Sequence, residues 1–434
     1  MIMIVDSINI RFDFFEKLYF WILLLFAAKA TVISYSFGVL SGGGVNFVLM
    51  FVLTCIIIKR NNISLRSKRV GILIFVLTIW FLFLHIANIS PFAPSLYIDI
   101  IFLVIITYVT VQCYKERIFE LYEVTVTYLC VIALIMYVIM VSIGAINLAS
   151  LGFVEPADRI CIGSFLLYNV TSPSRYLEEG TTLFGLVRNS GFAWEPGRFA
   201  SFIVIAIVIN LLRTGNRFRR NRNLYILLAA LFTTFSTTGY ITIIIIFMVS
   251  YLVNGTRNMK YFVITGLVVI IGLLLFFQLP FLSEKIQSVS REDNYALENE
   301  GTFKYIETLD QNIMYTPQRF ECISLDFLNF LKSPILGYGL DSKYSYVRTS
   351  ISSQIALSNG VMKDFAMFGL ILGGLYNLLL IKGSRKLSDI YRSRNMFIFY
   401  IAYVLISFSY SFIALPCLSS LFLYDYFIKD KKRK

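Results

Sequence analysis

Apolar residues in this chain come in long unbroken runs, with few polar positions between them. Such runs lie near residues 18–40, 44–58, 70–89, 97–114, 122–145, 197–212, 224–236, 238–253, 261–282, 363–381, 395–412 and 414–428. Many approach the roughly 20 residues a helix needs to cross the hydrocarbon layer of a bilayer. No stretch shows the weak ten-residue alternation of an outer-membrane barrel strand. The pattern predicts an all-α polytopic membrane protein of about twelve transmembrane helices, forming a single transmembrane domain over residues 1–434.

The regions 224–253 and 395–428 could each be one long helix or a hairpin, and the basic residues decide between the two. They cluster at Lys59, Arg60, Arg66, Lys68 and Arg69; at Lys115 and Arg117; and at Arg213, Arg217, Arg219, Arg220 and Arg222. Further clusters follow at Arg257 and Lys260, at 382–394, and at 429–434. With breaks at Ser236-Thr237-Thr238-Gly239 and near Pro416, all of them fall on one side of the membrane. Adding Arg11 and Lys17, that side holds 26 of the 39 Lys and Arg residues. An unbroken helix at 224–253 would move the last three clusters to the other face. The positive-inside rule therefore predicts both termini in the cytoplasm.

Composition agrees. Hydrophobic residues make up 57% of the chain, only 15% of residues are charged, and the mean hydropathy is +0.73; a soluble domain has about a quarter charged residues. The net charge of +13 then sets orientation and meets anionic lipid, which removes the case for nucleic acid as a partner. The first apolar run follows Asp13, Glu16 and Lys17 without a small-residue cleavage site, so it reads as an anchor and not a removable signal.

Two segments, 146–196 and 283–362, remain on the outer face, both with acidic residues in excess of basic ones. So much polar chain on one face points to chemistry at that surface. The six cysteines show no metal-ligand spacing; Cys161 and Cys322 share the outer loops, which leaves a disulfide between them open. The single histidine, His85, falls near the outer end of the third span and reads as an interfacial residue.

Three stretches could carry chemistry. In Arg188-Asn-Ser-Gly-Phe-Ala-Trp194-Glu195-Pro196-Gly-Arg198, Pro196 suits a first helical turn and Glu195 the cap before it. Arg188 and Arg198 beside a helix N-terminus suit phosphate, while an ordinary cap paired with one Arg is the blander account. In the second stretch, Arg319 opens a short amphipathic helix expected to lie along the membrane surface, and Pro334, Gly337 and Gly339 then make a turn. A solvated Arg beside a surface helix explains the same residues. The third is Ser358-Asn359-Gly360 with Lys363, Asp364 and Gly369 leading into a span, either interfacial residues or part of a polar site. Lys29 is the one charge well inside the first span, and either snorkels or meets a lipid diphosphate.

The order of these stretches resembles the bacterial O-antigen polymerase (Wzy-type) and O-antigen ligase superfamily. Arg188, Gly191, Glu195 and Pro196 match an R-x-x-G-x-x-x-E-P pattern, Ser236 to Gly239 a break between spans, and Arg319 with Gly337 and Gly339 an Arg ahead of a G-x-G turn. Ser358-Asn359, Asp364 and Gly369 match the motif closing the outer loop, though the histidine typical of ligases before Asn359 is missing. The resemblance covers about residues 180–380 and leans toward polymerase.

It implies a GT-C-like, metal-independent glycosyltransferase of lipopolysaccharide and surface-polysaccharide biosynthesis in the cell inner membrane, without a cofactor. Such an enzyme transfers the growing glycan from undecaprenyl diphosphate to the terminal sugar of an incoming lipid-linked repeat unit at the periplasmic face. Arg188, Arg198, Arg319 and Lys29 would hold the diphosphate. Glu195, then Asp364, are the candidate bases, with Glu195 alternatively orienting Arg198 or binding the acceptor sugar. Asn359, Gly337, Gly339 and Trp194 would contact substrate, and Trp194, Tyr344 and Tyr346 could stack on sugar rings. Partners would be the lipid-linked oligosaccharide, membrane lipids and a chain-length regulator. An O-antigen ligase is the nearer rival. A lipid-linked oligosaccharide flippase, from a different class, predicts buried charges in many spans and an internal repeat; apart from Lys29 the span centres carry almost no charge.

Overall fold

A computed structural model describes residues 12–28, 44–91, 93–152, 161–172, 187–215, 220–254, 319–351, 353, 355, 357, 360–413 and 415–428. The apolar run at 261–282, the loop residues 283–318, Lys29 and Asn359 lie outside the described residues, as does the side chain of Arg319. Within them the chain is helical: α1 (Phe14–Ala28), α2 (Gly44–Arg60), α3 (Lys68–Ile86), α4 (Pro94–Tyr114), α5 (Arg117–Ile143) and α6 (Ala145–Ser150) precede a two-stranded antiparallel hairpin, β1 (Cys161–Ser164) and β2 (Asn169–Thr171). Then come α7 (Pro196–Thr214), α8 (Arg222–Thr233), α9 (Thr237–Asn254), α10 (Arg319–Lys332), α11 (Val361–Ile390), α12 (Ile398–Ser407), α13 (Pro416–Phe422) and α14 (Tyr424–Phe427).

Five of these, α3, α4, α5, α7 and α11, are long and apolar enough to cross a membrane. Their packing is that of a bundle in lipid. Large apolar side chains cover the outside, with Phe75 64%, Val138 64%, Phe232 62% and Leu370 62% exposed, because lipid tails favour them as well as a protein core does. The hub is α7, where Phe202 through Ile209 have no exposed surface. The count of twelve is coarser in the structure: α8, α12 and α13 have 12, 10 and 7 residues, fewer than a full crossing needs.

Hydrogen bonds fix which helix ends lie together. Arg213, near the end of α7, forks onto Glu123 in α5 at 2.7 and 2.8 Å, and Asn210 reaches the same carboxylate at 2.6 Å. Asn221 exchanges hydrogen bonds with Asn210 and caps α8. Asn395, before α12, bonds Ser250 of α9 and accepts at its carbonyl from Ser388 of α11. Arg69, at the start of α3, donates to the carbonyls of Asp425, Tyr426 and Ile428. Among the described residues, the basic clusters at 59–69, 213–222 and 382–394 thus gather at one end of the bundle. From that end α8 runs away and α9 returns, with the turn at 234–236; α12 runs away and α13 returns after 408–415. Both regions where one helix and a hairpin were alternatives contain a break.

The longest helix, α11, is broken at Gly369, whose φ of 66° and ψ of −174° are open essentially to glycine alone. The turn after α10 fills the break. Leu370 N–H, cut off from its helical partner, donates to the Pro334 carbonyl at 2.7 Å, while Tyr338 and Gly339 N–H donate to the freed carbonyls of Ala366 and Met367 at 2.9 and 3.0 Å. A Cβ on Gly337 would strike the Met367 carbonyl and one on Gly369 the Ile335 carbonyl. Trp80 of α3 ties the turn down through its indole N–H to the Leu336 carbonyl at 2.8 Å. Backbone groups at membrane depth have no water to fall back on, which is why a break there must be filled.

Candidate functional site

Three of the motif stretches converge on the residues between α12 and α13, at the end of the bundle away from the basic clusters. Residues 187–191 are laced to the end of α8. Asn189 N–H donates to the Thr233 carbonyl and its amide to Thr233 Oγ1, each at 2.9 Å. Arg188 is buried beside them, its Nε donating to the Thr234 carbonyl at 3.0 Å and its own carbonyl accepting from Thr171. Gly191 lies under the Phe199 ring.

Glu195 is the N-cap residue of α7 and Pro196 its first residue. The Glu195 backbone is extended, and its side chain makes no capping hydrogen bond, which leaves the half-buried carboxylate for other work. One turn in, the buried Arg198 donates through Nε and Nη2 to the Ala27 carbonyl at 3.2 and 2.9 Å. That carbonyl belongs to the last turn of α1, a negative helix end that a guanidinium suits. The Arg198 guanidinium also lies 5.7 Å from the Tyr410 ring centroid and within electrostatic reach of Glu195. Both the Tyr410 hydroxyl and Glu195 Oε1 flank Gly197. Arg198 Nη1 has no hydrogen bond among the described residues.

The 407–411 segment links this group to the third stretch. Gly360 N–H donates to the Ser407 carbonyl at 2.8 Å, and a Cβ at Gly360 would strike the carbonyls of Ser407 and Tyr410. Ser409 meets Thr238 of the α8–α9 break at 3.0 Å. Asp364, in the first turn of α11, is buried and accepts from Ser411 Oγ at 2.7 Å and from the Tyr403 hydroxyl at 3.0 Å. Lys363 beside it is half-buried and reaches the Leu357 carbonyl at 3.3 Å.

Glu195, Arg198 and Asp364 are therefore gathered around residues 407–411, while Arg188 is held on the end of α8 and Trp194 lies next to the end of α1. Gly337 and Gly339 lie in the turn that fills the break in α11: the Gly339 amide donates to the Met367 carbonyl, and Gly337 has no room for a side chain against the same carbonyl. Ser409, Tyr410, Ser411 and Tyr403 were missed by the sequence reading, though the run Ser407-Phe-Ser-Tyr-Ser411 between apolar segments was a usable sign.

The amphipathic helix forms, beginning at Arg319 as the spacing suggested, but its polar face is turned the other way. Cys322, Asp326 and Asn329 are buried against the protein at 0%, 0% and 1% exposure, while Phe327, Leu328 and Leu331 are exposed. Ile335, Leu370 and Ile371 continue that exposed apolar surface onto α11. Asp326 is the acidic group the sequence reading passed over. Its Oδ1 has a long contact from Asn329 at 3.5 Å and its Oδ2 has no hydrogen-bond partner among the described residues. Burial pushes its carboxyl up to about 7, Asp364 adds to the rise, and Lys363 and Asn329 oppose it. Among the described residues no group of His, Cys, Asp and Glu is placed to hold a metal ion.

A family model described as O-antigen ligase matches residues 223–376, from the start of α8 into α11. The match supports a relation to the O-antigen ligase/polymerase superfamily, glycosyltransferase-like enzymes of surface-polysaccharide biosynthesis. It includes Asp326, the turn at 334–339 and Asp364, whereas Arg188, Glu195 and Arg198 precede it. No curated protein matches the chain.

Proposed function

We propose that this protein is a surface-polysaccharide polymerase of the bacterial inner membrane, with both termini cytoplasmic. It transfers the growing glycan from undecaprenyl diphosphate to the terminal sugar hydroxyl of an incoming lipid-linked repeat unit. The observation that carries the reading is the convergence of Arg198, Glu195 and Asp364 around residues 407–411, with Arg188 on the end of α8 whose break also meets that segment, at the bundle end away from the basic loops. Breaking the bond between sugar and diphosphate leaves negative charge on the leaving group. Fixed cations in a water-poor site stabilise that charge as it develops, and Arg198 offers Nη1 for it while its other nitrogens are held by α1. Arg188, Arg319 and Lys29 complete the diphosphate-binding set. Glu195 orients Arg198 and holds the acceptor sugar, with Trp194 and Asn359 as further contacts to substrate.

A second reading, ligation of a finished glycan to a different acceptor, is favoured by the description of the matching family. The test is the surface-glycan ladder of a deletion strain, complemented with the wild-type gene. Polymerase loss leaves a single repeat unit on the lipid core, and wild type restores the ladder. Loss of every repeat unit points to the ligase or to a flippase, and an unchanged ladder overturns the proposal.

A further inference from the structure

Within the transferase reading, two carboxylates of the site are already committed. Both oxygens of Asp364 accept hydroxyl hydrogen bonds, from Ser411 and Tyr403. Glu195 faces the Arg198 guanidinium at the N-terminus of α7 and is engaged with that charge. Neither is set to take a proton from a sugar hydroxyl.

Asp326 differs on every count. It has no exposed surface, one of its oxygens has no partner among the described residues, and α10 holds it against the first turn of α11. A buried carboxyl with one oxygen unpartnered and the other held only at 3.5 Å costs free energy that a packed apolar residue at this position would not. Nothing in the packing returns that cost, since Cys322, Leu325 and Asn329 already make the contact face of α10. The charged and titratable groups that act on it are Lys363 and Asp364 on α11 and Tyr338 in the filled break.

We infer that Asp326 is the proton acceptor of the transfer reaction, the carboxylate that receives the hydrogen of the acceptor hydroxyl. In that step the hydroxyl oxygen bonds to the anomeric carbon of the donor sugar as its proton passes to Asp326 Oδ2. The bond from that carbon to the diphosphate oxygen breaks, and the electron pair leaves with the diphosphate. The proton then returns to water, restoring the carboxylate. The side chain is sealed between α10 and α11, so the acceptor reaches it as α10 lifts from α11.

Two consequences follow from burial. A base whose carboxyl titrates at about 7 works in its ionised form, so elongation rises with pH up to and through about 7. Stability has the opposite sign: a carboxyl raised above its ordinary value of 3.8 favours the fold when protonated, and that contribution is lost as pH rises through about 7.

The experiment uses membranes carrying the full-length protein and the lipid-linked repeat units extracted from the same cells. Elongation is read as glycan length between about pH 5 and about pH 8.5, for wild type, Asp326→Asn and Asp326→Glu. Asp326→Asn is expected to elongate at least about 100-fold more slowly, while its thermal transition at pH 8 stays equal to or above that of wild type. Asp326→Glu is expected to recover part of the rate with a displaced pH profile. Unaltered elongation by Asp326→Asn overturns the inference, as does a loss of rate accompanied by a lower transition temperature, which marks a structural aspartate. If wild type itself does not elongate, the polymerase reading fails first.

Discussion

Arg198→Ala is expected to slow chain elongation by about 100- to 1000-fold, the range seen when one fixed donor to a developing anion is removed. The expectation rests on how the guanidinium is held. Two of its nitrogens close the end of α1 through the Ala27 carbonyl, and the Tyr410 ring lies alongside. The charge is thus fixed before substrate arrives and needs no reorganisation during the reaction. Arg198→Lys keeps the charge but not the fork, because an ammonium group cannot reproduce two parallel N–H directions; it should fall between Ala and wild type. Elongation in membranes, normalised to protein level, is the measurement. Wild-type rates in Arg198→Ala would remove this residue from the site.

The second large effect lies near the far end of α7, about 22 Å from Arg198 along the helix. Glu123 is fully buried and accepts from Arg213, Asn210 and Asn223, joining α5, α7 and α8. Glu123→Ala leaves Arg213 without its carboxylate and several amide donors without an acceptor, and should destabilise the bundle by about 3–5 kcal/mol. Replacing both partners with apolar residues, as in Glu123→Leu with Arg213→Met, should restore much of that stability, because the desolvation cost of two charges disappears with them. Thermal unfolding of the detergent-solubilised protein checks both. A double variant as weak as Glu123→Ala would mean that the asparagines, and not the ion pair, hold the three helices together.

The contrast between these residues explains what could be read from the chain. Spans and breaks were legible because lipid imposes a simple rule on long apolar runs, and the basic clusters add a sign to each loop. Arg188, Glu195, Arg198 and Asp364 stood out because charge at the lip of a span is costly. Tyr410 and Ser411 did not, since hydroxyl groups raise no such alarm; they matter only where a turn brings them against Arg198 and Asp364. Asp326 was hidden by the rule itself. A surface helix is expected to show its polar side to water, and α10 buries that side because α11 offers Lys363 and a broken backbone to face.

The filled break at Gly369 bears on how such proteins can diverge. Three backbone hydrogen bonds join the turn at 334–339 to the two halves of α11, so neither can be altered alone without leaving amides and carbonyls bare in lipid. The segment at 319–339 is accordingly no interchangeable cassette. A chimaera that takes this segment from a relative must also take the span that receives it, and the smallest heritable unit of specificity runs from α10 through α11.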